Sequence, residues 1–207
     1  MTARRKLILP VLTLLLLASA AWNLYFINHN MTERQQAEVD RGKQLILHYY
    51  DAIMFAGILR DATGSLLQDH EMEQRLSYKY QAGLAYRFNQ AIPALIAGAE
   101  EVKGEPFRTI KYTPQAWFTE INNALGTIGS HEGPLQETEL NYLRTAHELF
   151  SRTAQLLDGY HVENTADNLA LAMARGGKWV DIVEEINDIF ADAPEFLFTY
   201  RSDAESK

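Results

Sequence analysis

The hydrophobic and polar positions fall into one unbroken apolar run followed by a series of amphipathic stretches. Leu7 to Ile27 reads LILPVLTLLLLASAAWNLYFI, 21 residues without a charge. A helix of that length, at 1.5 Å per residue, spans roughly 30 Å, the thickness of a bilayer's hydrocarbon core. Pro10 stands in its first turn, where no helical hydrogen bond is lost. Arg4, Arg5 and Lys6 precede the run, which favours keeping that end in the cytoplasm, and Trp22, Tyr25 and Phe26 close it as an interfacial aromatic set. The pattern predicts a cytoplasmic flank at 1–6, a transmembrane anchor at 7–27, an extracytoplasmic domain at 28–199 and a frayed tail at 200–207. The competing reading is a cleaved signal peptide with Ala18-Ser19-Ala20 as its small-residue site, although the apolar run continues beyond what such a peptide needs. On either reading the chain is exported.

Beyond the run, Thr32 and Gln35 have capping-box spacing and predict a helix restart outside the membrane, unless the helix continues directly from the anchor. Val39, Ile46, Tyr49, Ile53, Ala56, Leu59, Thr63 and Leu66 then form a helical seam, with Gly57 and Gly64 marking close approach to a neighbour. A second helix is predicted from Met72 to Glu101, with Leu76, Tyr80, Leu84, Phe88, Ile92 and Leu95 on its buried side and a kink at Pro93. Val102 to Tyr112 reads as a loop. Thr113-Pro114 announces a third helix, with threonine at the N-cap and proline at the first helical position. Its apolar face is Trp117, Ile121, Leu125 and Ile128. The next stretch has the clearest repeat: Leu140, Leu143, His147, Phe150, Ala154 and Leu157 alternate by three and four, leaving Glu139, Arg144, Glu148 and Arg152 off the seam, with Gly159 as C-cap. A shorter helix from Thr165 to Ala174, a Gly176-Gly177 break and a last helix carrying Trp179, Ile182, Val183, Ile186 and Phe190 complete the chain. No period-two run of strand character appears, so the predicted fold is all-α: an antiparallel helical bundle behind one transmembrane helix.

Charge narrows the partners. The chain carries 19 basic and 27 acidic residues, and three of the basic ones precede the anchor. The exported part is therefore strongly acidic, a poor surface for nucleic acid. With no cysteine, disulfides, thiol nucleophiles and thiolate metal sites are excluded.

Candidate chemistry is sparse. No two of the histidines His29, His48, His70, His131, His147 and His161 stand four apart beside a glutamate, the pair that a helical zinc site uses. His147 lies on an apolar seam, where an interior hydrogen-bonded role is the ordinary one. The doublets Glu100-Glu101 and Glu184-Glu185 read as solvated helix faces. Asp69-His70-Glu71 are consecutive, so on a helix they do not face one another. No catalytic residue, cofactor or metal is assigned, and the chain is expected not to be an enzyme. The dense tyrosines, Tyr49, Tyr50, Tyr78 and Tyr80, suit either a partner groove or core packing with hydroxyls reaching the surface. With the turn Gly133, Pro134 and Leu135 they form the candidate partner-binding set.

Gly133-Pro134-Leu135 followed by Glu139, then Leu143-Arg144-Thr145 and the helix to Leu157, resembles the YpeB family of spore-germination proteins. Leu59-Arg60-Asp61 with Gly64 and Leu66-Leu67 is similar to that family's membrane-proximal helix, and Lys178-Trp179-Val180-Asp181 to a step after its second helical hairpin. The resemblance covers most of this chain, but family members continue into C-terminal PepSY domains that this sequence does not contain. It implies a sporulation membrane protein, in the spore's inner membrane, that holds a cortex-lytic cell-wall hydrolase. The expectation is thus a membrane-anchored, non-enzymatic helical scaffold that binds and stabilises a protein partner outside the cytoplasm. The alternative is a sensory ectodomain that binds a small ligand within a helical bundle.

Overall fold

The computed structural model describes residues 3–68, 71–109, 111–160 and 167–200; side chains of residues 3–12, Pro114 and Asp167 fall outside the described set. Within it every regular element is helical. The elements are α1 (Ala3–Gln68), α2 (Met72–Ala85), a 3-10 turn (Tyr86–Phe88), α3 (Ala91–Lys103), α4 (Pro114–Thr127), α5 (Glu137–Asp158), α6 (Asp167–Arg175), α7 (Lys178–Ala191) and a last 3-10 turn (Glu195–Phe198). Of the frayed tail expected at 200–207, Tyr200 packs against the Tyr142 ring with centroids 4.8 Å apart; the rest of it, and the start of the helix expected at Thr165, lie outside the described residues.

The spine is α1, one helix of 66 residues. Thr32 does not restart it: its hydroxyl donates to the Asn28 carbonyl at 2.9 Å, a mid-helix bond back by one turn. No proline interrupts α1 after Pro10, so the continuous alternative holds. From Thr13 to Glu38 every residue is exposed, and Val39 is the first buried position. Beyond it α1 packs against α5, α6, α2 and α3. Tyr49 reaches the Leu157 carbonyl, and Arg60 meets His147, so α1 and α5 run antiparallel.

Two glycines explain how closely the helices approach. A Cβ on Gly42 would lie 1.8 Å from the Ala170 carbonyl oxygen, so α6 rests on bare backbone there. Gly64 leaves room for the His147 imidazole, as its sequence position suggested, whereas nothing lies within 4 Å of a Cβ on Gly57. The interior is aromatic: Phe55, Trp117, Phe118, Phe150 and Phe190 meet edge to face, with Phe55 and Phe118 centroids 4.6 Å apart.

The helix expected from Met72 to Glu101 is two helices. Pro93 produces no kink; it lies in the first turn of α3, where its missing N–H is no loss, and the break falls earlier, at Tyr86–Phe88. The seam drawn through both was therefore wrong on α2. Leu76, Tyr80 and Leu84 are 48%, 72% and 39% exposed, while Arg75, Ala82 and Ala85 face inward. Small alanines let α2 lie close to α1, which turns its larger side chains out. The loop expected from Val102 starts at Gly104, which closes α3 in the left-handed conformation.

Among the described residues no helix is long and apolar enough to cross a membrane. The expected span begins at Leu7, and the side chains of 7–12 lie outside those described.

Candidate functional site

The predicted partner residues separate into two places and two roles. Tyr49 is fully buried; its hydroxyl donates to the Leu157 carbonyl at 2.9 Å and its ring meets Tyr160 edge to face. Burial first, then the nearby Tyr160 and Asp158, push its pKa up, so it stays a neutral donor. Tyr78 is half-buried against the core. Only Tyr50 and Tyr80 present their rings outward, at 44% and 72% exposure, on different helices. The tyrosines as a set therefore build no groove. Core packing is what explains Tyr49.

Gly133, Pro134 and Leu135 lie in the connection between α4 and α5. Gly133 has a left-handed φ of 87°, Gly133 and Pro134 are exposed, and Leu135 is buried. What holds this turn is a cluster of side chains that the sequence pattern does not bring together. Glu139, expected off the seam, is buried: its carboxylate accepts from the Gly129 amide at 2.8 Å, the Gln136 amide at 2.8 Å and His131 Nε2 at 2.9 Å. The Gln136 contact is one half of a capping box, a signal readable in the spacing Gln136-x-x-Glu139. From α2, the fully buried Arg75 donates through Nη2 to the His131 carbonyl at 2.7 Å, and Lys79 donates to the Ser130 hydroxyl.

The protonation of this corner follows from its partners. His131 Nδ1 faces the Glu132 carbonyl at 3.0 Å and Nε2 faces the Glu139 carboxylate. Both partners only accept, so both ring nitrogens carry protons. The carbonyl of Glu132 and the carboxylate of Glu139 raise the His131 pKa. For Glu139, burial pushes upward, but the Gly129 and Gln136 amides and His131 outweigh it and hold the pKa below its ordinary value.

A pH dependence follows. The His131 contribution is complete below its ordinary value of 6.5 and is lost as pH rises through the raised folded value. The Glu139 contribution is complete above its ordinary value of 4.5 and is lost as pH falls through the depressed folded value. Both are complete between those two ordinary values. Urea unfolding across pH should therefore show His131→Asn flattening the alkaline limb and Glu139→Gln the acid limb. Unchanged limbs in both variants would contradict the cluster.

A third feature lies between α5 and α7. An open groove of about 750 Å³ has Leu156, Ile182 and Ile189 on its floor and Asp181, Glu185, Asp188 and Asp192 along the α7 side. By contrast, the space where α1, α2 and α4 meet, lined by Phe55, Leu59 and Phe118, measures about 10 Å³. That is room for one water at most. Half-buried His147 makes the hydrogen bond expected of it, through Nδ1 to the Arg60 carbonyl at 3.0 Å. Among the described residues no group of three or more metal-ligating side chains comes together; Asp69, His70 and His161 lie outside them.

No family model, curated protein or solved structure matches this chain. The resemblance to the YpeB family rests on the residues quoted for it alone.

Proposed function

We propose that the chain is a membrane-anchored, non-enzymatic helical scaffold that presents its bundle outside the cytoplasm and there binds and stabilises a protein partner. One observation carries this reading. The α1 helix runs without a break from the apolar segment into the bundle, and Leu14, Leu15, Leu16, Leu17, Leu24 and Ile27 are all more than half exposed. Leucines on every side of a lone helix have no place in water, and a bilayer is the surrounding that their spacing, length and basic flank fit. From Ile27 to the first buried residue, Val39, the same helix provides a polar stalk of roughly 18 Å. The bundle is thereby held at a set height and orientation, which suits presentation of a surface.

A cell-wall hydrolase is the partner that the family resemblance implies. The test is in-cell cross-linking and affinity capture of the full chain, with the partner's abundance measured on deletion of the gene. A partner bound in its folded state is withdrawn from its unfolded, protease-sensitive form, so its level should fall several-fold without the scaffold. Capture of no protein, together with ligand-dependent melting in a small-molecule screen, would replace this reading with the sensory one.

A further inference from the structure

The groove between α5 and α7 has a chemistry that the scaffold reading leaves unassigned. Along α7 and its C-cap, Asp181, Glu185, Asp188 and Asp192 succeed one another at intervals of four, three and four residues. That is the repeat of a single helical face, so the four carboxylates make one wall about three turns long. Two basic residues, Arg152 and Lys178, share the groove with these four acids, and Lys178 already donates to the Gly159 carbonyl at 3.1 Å. The acids of α7 divide by side. Glu184, turned toward α3, is held by Lys103 at 2.7 Å. Asp181, Glu185 and Asp188 make no ion pair among the described residues, and Asp192 is tied outward to Arg108 at 2.6 Å. Between this wall and α5 the floor is apolar, formed by Leu156, Ile182 and Ile189.

We propose that this groove seats a basic amphipathic helix of the partner protein, with lysines or arginines against the α7 wall and aliphatic side chains on the floor. The proposal rests on the scaffold reading and names the surface that reading would use. Charge complementarity selects the occupant. An acidic wall repels a second acidic copy of this chain and attracts a cationic face of matching repeat, while half-buried Leu156 and the edges of Ile182 and Ile189, 6% and 8% exposed, leave such a helix a narrow apolar strip to cover. Long lysine and arginine side chains suit the position, since their stems cover apolar surface while their charges reach the rim.

The probe is a synthetic helical peptide with lysines at the same four, three, four spacing and leucines opposite Ile182 and Ile189, titrated against the full chain in detergent. Binding should weaken about tenfold or more in the triple variant Asp181→Asn, Glu185→Gln, Asp188→Asn, and should weaken with added salt. A control triple variant, Glu33→Gln, Glu71→Gln, Glu73→Gln, removes the same charge away from the groove and should bind as the parent does. Amide shifts should map to α5 and α7. Equal loss in both triple variants, or shifts spread over other helices, would overturn the groove assignment. So would failure of the parent chain to bind the peptide. None of these results touches capture of a partner by the intact chain, so a failed groove and a failed scaffold are distinguishable.

Discussion

Phe150→Asp should abolish the cooperative unfolding transition of the bundle. Phe150 is fully buried, with the rings of Phe55 and Trp117 at 6.0 and 6.3 Å. Removing a buried phenylalanine ring costs about 3–5 kcal/mol through lost burial and the cavity left behind. Placing a carboxylate there adds several kcal/mol more, because no donor on this apolar seam replaces water. Against a total stability of about 5–15 kcal/mol, the sum is enough to unfold the domain. Leu143→Asp, fully buried about two turns earlier, should behave the same way. Exposed Glu148→Ala on the same helix should stay within about 0.5 kcal/mol of the parent. Urea unfolding followed by circular dichroism separates the three; coincident midpoints would mean that the buried face of α5 is misassigned.

The second large effect has a sign that helix propensity alone gets wrong. Gly42→Ala and Gly57→Ala both replace an α1 glycine, and in an isolated helix each gains about 1 kcal/mol. Gly57 has open space around the added methyl and should show that gain. At Gly42 the methyl would be driven into the Ala170 carbonyl, which is backbone and has no rotamer by which to yield. Overpacking of this kind costs about 1–3 kcal/mol, and a full backbone collision belongs at or above the top of that range. Gly42→Ala should therefore lower the unfolding midpoint and raise hydrogen exchange in α6, while Gly57→Ala raises the midpoint. Equal shifts would show that α6 does not rest on Gly42.

These two cases also mark what the sequence could convey. The face of α5 was legible because large apolar residues repeat by three and four with no glycine or proline to shift the phase. The start of α4 was legible because its chemistry is local: the Ala116 amide donates to the Thr113 hydroxyl at 3.3 Å, and Pro114 follows as the first helical residue. On α2 the same method failed, since burial there is decided by tertiary contact. Arg75 goes inward to the His131 carbonyl, and Leu76, Tyr80 and Leu84 are left outside. Gly42 carried no local mark either, because its role lies in a partner 128 positions along the chain, Ala170.

The site was legible in part. Turn chemistry drew attention to Gly133-Pro134-Leu135, yet the groups that hold that turn come from three segments: Arg75, His131 and Glu139. Glu139 stands four residues before Leu143, the spacing of one helical face, yet a glutamate in a first turn reads as solvated until the loop that it caps is seen. The doublet Glu184-Glu185 reads as one solvated pair, but consecutive helical residues diverge. One meets Lys103 and the other lines the groove, a division visible only once α3 and α5 flank α7.

The proposed function has α1 anchor the bundle in a membrane with the Lys207 end of the chain outside the cytoplasm. The most direct measurement joins a reporter that works only outside the cytoplasm, or one that works only within it, to Lys207, and sequences the N-terminus of the membrane-bound product. Activity from the outside reporter alone, on a chain that still begins within Met1 to Lys6, is the expected result. Activity confined to the cytoplasmic reporter, or a mature protein beginning at Ala21, would contradict it.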